Sequence, residues 1–133
     1  MADLEAVHDR LKGLLAPYRD ELSVTSDGPS GMVLEVPGLE GKPWGYVAAT
    51  RPGKRYVSYY LMPVYGDLRL LADMSAELRK RMQGKSCFNF TRVDEGLLTE
   101  LTDLTRRGYD LTAGDPAWGT RQRENWNKAR SNR

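Results

Sequence analysis

The sequence predicts an α+β fold in which an antiparallel sheet of about five strands carries its helices on one face. Three observations lead there. Residues 4–15 repeat apolar side chains at helical spacing. Five later stretches read as strands, three of them with clear alternation at the strand period and most of them separated by turn residues. A leucine-rich segment after residue 94 returns to helical spacing.

In the first helix Leu4, Val7, Leu11, Leu14 and Leu15 form one stripe, with Glu5, Asp9, Arg10 and Lys12 on the other faces. Asp3 suits the N-cap, because its carboxylate can accept from free first-turn amides. Pro17 disfavours helix at Ala16 and ends the element near there. His8 lies beside the stripe and is expected at the surface or its boundary.

Residues 22–26 read as a first strand, Asp27-Gly28-Pro29-Ser30-Gly31 as a turn, and residues 32–36 as the returning strand. Residues 37–43 form a loop. Residues 44–50 make the third strand, with Trp44 expected at the sheet edge. Arg51-Pro52-Gly53-Lys54 connects it to the fourth strand, residues 55–61. Strands joined this tightly pair antiparallel. Alternation sets Tyr56, Ser58 and Tyr60 on one side, and Val57, Tyr59 and Leu61 on the side facing the helices.

Asp67 can cap a short helix through Ala72, and Ser75 a second one reaching about Gln83. Gly84 sits where a left-handed helix end is wanted, after Lys80 and Arg81. Residues 85–91 form the fifth strand, with Phe88 and Phe90 on one face and Lys85, Cys87 and Asn89 on the other. Asp94 caps the last helix. Leu97, Leu98, Leu101 and Leu104 share one of its faces, and Arg106-Arg107-Gly108 ends it.

At 133 residues the chain is expected to hold one domain, residues 1–110, followed by a polar, basic and partly mobile tail, 111–133. A net charge of +2 is too small to point to an anionic membrane, and it makes nucleic acid an unlikely partner. No apolar run approaches the ~18 residues of a membrane span. A single cysteine fits a reducing compartment, and the N-terminus has acids where a signal peptide needs bases, so the cytoplasm is expected. Phosphate-loop, HExxH, paired CxxC and GxSxG motifs are all absent.

YVSYYLMPVYGD at 56–67, ELRKRMQGKSCFNFT at 77–91 and TRRGYD at 105–110 resemble the YdhG-like family of small bacterial domains of unknown function. Its members have been likened to frataxin and called intracellular iron chaperones. The resemblance covers about residues 55–110. It implies the same α+β fold and, as an alternative function, an iron carrier. Iron of that kind prefers a ridge of carboxylates. Here Arg10 and Lys12 interrupt the acids Asp3, Glu5 and Asp9, while Asp20 and Glu21 lie beyond the helix beside Arg19.

The candidate site is the sheet face opposite the phenylalanines. Lys85, Cys87 and Asn89 would bring a cation, a thiol and an amide together, beside Tyr56, Ser58 and Tyr60 if the two strands are neighbours. The first expectation is a binding module for a polar or anionic small ligand or a protein partner, with no resident cofactor. An iron carrier ranks second. Third is an enzyme using Cys87, which would need a lowered thiol pKa. An uncovered sheet edge could pair two copies, so monomer and homodimer are both open.

Overall fold

The structure is a computed structural model. It describes residues 3–42, 45–66, 69–84 and 86–110, with Ala117, Thr120, Arg123, Glu124, Asn127 and Lys128 beyond them; for residues 65 and 66 it describes the backbone only. The expectations for Trp44, the Asp67 cap, Lys85 and nearly all of the tail lie outside these residues.

The elements follow in the order α1 (Leu4–Leu15), a 3-10 turn (Ala16–Tyr18), β1 (Ser23–Gly28), β2 (Gly31–Glu35), β3 (Tyr46–Pro52), β4 (Val57–Leu61), α2 (Met62–Gly66), α3 (Arg69–Ala72), α4 (Ala76–Arg79), β5 (Met82–Gln83), β6 (Cys87–Phe90) and α5 (Glu95–Gly108). The strands form one sheet of six in the order β1-β2-β3-β4-β6-β5, antiparallel throughout. The expected α+β class is therefore present, with one strand more than the sequence suggested.

The added strand is β5. The helix expected to run from Ser75 to about Gln83 ends at Arg79. Met82 and Gln83 instead pair with Phe88 and Cys87. Pairing at the sheet edge overrides the local helical preference of the segment. Gly84 does adopt a positive φ of 80°, but it turns the chain between β5 and β6 and caps no helix.

Helix caps follow the sequence closely. Asp3 accepts from the Ala6 amide, Ser75 from Leu78 and Asp94 from Leu97. The apolar stripes of α1 and α5 then bury Val7, Leu11, Leu15, Leu98, Leu101 and Leu104 against Met32, Leu34, Val57, Tyr59, Leu61, Phe88 and Phe90 of the sheet.

Two local features set the sheet's shape. The β1–β2 turn closes between Gly28 and Gly31. Gly31 holds φ 126°, and a Cβ there would lie 2.0 Å from the Thr50 carbonyl oxygen, so only glycine fits without displacement. Between Leu34 and Glu35 the β2–β3 register slips by one residue. That bulge turns Val47 and Ala48 inward together, and both are buried.

His8 corrects an expectation. It is buried, 7 % exposed, and its Nε2 shares a 2.9 Å hydrogen bond with the Thr50 hydroxyl. The same Thr50 oxygen accepts from the Met32 amide at 3.1 Å. Burial, and then the charge of Lys12, lower the His8 pKa below its usual value.

Candidate functional site

β4 and β6 are neighbours. Ser58 lies opposite Asn89, and Tyr60 opposite Cys87. Strand alternation therefore places these four side chains on one face, as expected, while Val57, Tyr59, Phe88 and Phe90 point into the core.

The face divides into two parts. The first is a closed polar network. The Ser58 hydroxyl donates to Asn89 Oδ1 at 2.7 Å, and the Cys87 thiol donates to the same oxygen at 3.4 Å. The Asn89 amide donates to Gln83 Oε1 at 2.8 Å. Asn89 thus ties β4, β5 and β6 together, and its carbonyl oxygen accepts from both neighbours.

The second part is a surface groove of about 360 Å³, lined by Arg51, Pro52, Gly53, Lys54, Arg55, Tyr56, Ser58 and Tyr60. It opens beside the β3–β4 connection, where Gly53 donates its amide to the Tyr56 carbonyl and folds the turn. Of the expected site residues, Tyr56, Ser58 and Tyr60 line this groove. Cys87 and Asn89 share the face but belong to the network. Lys85 lies outside the described residues.

Sequence reasoning missed the cations. Arg51, Lys54 and Arg55 are exposed and enter no ion pair or side-chain hydrogen bond among the described residues. Other basic side chains behave differently: Lys12 and Arg19 hold Asp27 at 2.8 Å each, and Arg107 holds Asp103 at 2.8 Å. Among the described residues no carboxylate lines the groove. Its charge is therefore unbalanced within the site. The signal was present in the string Arg51-Pro52-Gly53-Lys54-Arg55, read only as a connection: three cations within five residues, next to a tyrosine-bearing strand.

The tyrosines also differ in their surroundings. Tyr56 is 39 % exposed, Tyr60 is half-buried, and neither hydroxyl has a hydrogen-bond partner among the described residues. Tyr46 is half-buried too, and its phenol pKa is pushed up, first by burial and then by Tyr60 and Glu35.

A cysteine–histidine pair is ruled out by position. The chain has one histidine, His8, and it is held against Thr50 on the helix side of the sheet. Cys87 faces the other way. Metal ligation likewise finds no ready arrangement: among the described residues no group of three or more His, Cys, Asp or Glu side chains is placed to share an ion. None of the described helices is long and apolar enough to cross a membrane.

No known family model, curated protein or solved structure matches this chain.

Proposed function

We propose that this protein is a binding module that captures an anionic small ligand in the groove beside the β3–β4 connection. One observation carries the reading: three cations, unpaired among the described residues, border a concavity that also offers two tyrosine rings and, among those residues, no carboxylate. Its volume of about 360 Å³ falls within the range of roughly 300–1,000 Å³ usual for small-molecule sites. Exposed guanidinium groups without partners lose little on meeting an anion, because no internal ion pair has to break. Two arginines add planar, bidentate geometry for carboxylate or phosphate oxygens. The lone cysteine keeps the cytoplasm as the favoured compartment.

Mapping backbone amide shifts while titrating a panel of anionic metabolites tests the proposal. The expected result is a ligand whose shifts concentrate on residues 51–60 and vanish in an Arg51→Ala, Arg55→Ala double variant. Shifts that survive in that variant would place the ligand elsewhere.

The iron carrier remains second. It rests on the family resemblance, and its acids are partly engaged: Asp3 caps α1, and Glu21 accepts from the Tyr109 hydroxyl.

A further inference from the structure

From the same groove we infer the ligand's class: a phosphate monoester joined to a flat ring, the ring lying against Tyr56 and Tyr60. This rests on the binding reading above and narrows it.

The phosphate half follows from charge. Arg51, Lys54 and Arg55 bring three positive charges to the lining, with no acid among its described residues. Arg92 adds a fourth cation at the same end of the sheet: it is exposed and stands two residues beyond Phe90, which pairs with Val57 at the start of β4. The two acids that follow Arg92 are occupied elsewhere. Asp94 accepts from the Leu97 amide at 3.2 Å, and Glu95 pairs with Arg10. A single carboxylate offsets one such charge. A phosphate monoester carries about −1.5 to −2 at neutral pH and offers three acceptor oxygens to several donors at once.

The ring half follows from the rest of the lining. Tyr56 and Tyr60 supply aromatic surface beside the cations, an arrangement that stacks planar groups. Ser58 lies between them in sequence, and its hydroxyl hydrogen is already donated to Asn89. It therefore faces the groove as an acceptor. An acceptor suits a ring bearing an N–H or amino group better than a second anionic oxygen. The cations and the aromatic, accepting side chains of the lining thus ask for different ends of one molecule.

Calorimetric titration at neutral pH tests this with adenosine 5′-monophosphate, phenyl phosphate, phenyl sulfate, phthalate and inorganic phosphate. At least one of the first two should bind about tenfold or more tighter than phenyl sulfate, phthalate and inorganic phosphate, tenfold being the effect of one good charge-assisted contact. The better of the two identifies a nucleotide or a simple aryl ester as the source. Arg55→Ala and Lys54→Ala should each weaken that ligand, while Tyr60→Phe keeps it and Tyr60→Ala does not. Each variant is checked for an unchanged unfolding midpoint. Phthalate or phenyl sulfate binding as tightly as the phosphate esters overturns the phosphate assignment and leaves the groove reading standing. Inorganic phosphate binding equally tightly overturns the ring. If none of the five binds and none shifts residues 51–60, both this assignment and the groove reading fall.

Discussion

Tyr59 and Tyr60 are neighbours in sequence and opposites in use. Tyr59 is wholly buried, and its hydroxyl donates to Thr105 Oγ1 at 2.6 Å, which in turn donates to the Leu101 carbonyl. Burial raises its phenol pKa, so the ring is a neutral core group that pins β4 to α5. Tyr60 is half-buried on the other side of the same strand, with a hydroxyl that has no partner among the described residues and a groove beside it. One strand therefore builds a core with one set of side chains and presents chemistry with the other. Polar groups on the inner face are paired; several on the outer face are left available.

Truncating each of the two tyrosines separates the two faces. Tyr59→Ala should lower stability by about 3–5 kcal/mol, as for other large buried rings. Tyr60→Ala should stay within about 1 kcal/mol of wild type while abolishing ligand capture. Denaturant unfolding of the two variants checks this, and equal losses would erase the distinction between the faces.

Gly31→Ala comes next. Its φ of 126° and the Thr50 oxygen 2.0 Å from the added carbon should cost about 2–4 kcal/mol, read by the same unfolding experiment. Tyr59→Phe sharpens the inner face further. Losing one buried hydrogen bond should cost about 1 kcal/mol.

His8 gives a pH test of the inner face. Its folded pKa is lowered while the unfolded side chain titrates near 6.5. The unfolded chain therefore binds a proton that the folded chain declines. Stability is full above pH 6.5 and falls as the pH drops below it toward the folded pKa. The slope is at most about 1.4 kcal/mol per pH unit for one proton. Subtracting the curve of His8→Gln isolates this term; two parallel curves would mean that His8 is not held neutral. Smallest of all, Arg51→Ala and Arg55→Ala should each leave stability within about 0.5 kcal/mol, since neither side chain has a partner to lose among the described residues.

Much of this contrast was legible in the sequence. The period of two in β4 and β6 separated Tyr59 from Tyr60, and Phe88 from Cys87, without any knowledge of their neighbours. The caps at Asp3, Ser75 and Asp94 were legible because capping is local. What escaped depends on partners distant in the chain. Two residues, Met82 and Gln83, are too few to show a period, and they become a strand only because β6 lies beside them. His8 is buried because Thr50, 42 positions later, meets its ring. That Ser58 and Cys87 both donate to Asn89 was not readable from the strand period, because it depends on how β4 and β6 are paired. The cations at Arg51, Lys54 and Arg55 were visible, but that they border a groove with no carboxylate among its described lining residues follows only from the folded strands.

The most direct measurement follows the tyrosine ring resonances by NMR while phenyl phosphate is added. The rings of Tyr56 and Tyr60 should shift in a saturable way, and Tyr59, behind the sheet, should not. Shifts at Tyr59 equal to those at Tyr60, or a saturable shift that leaves both Tyr56 and Tyr60 unmoved, would contradict that expectation.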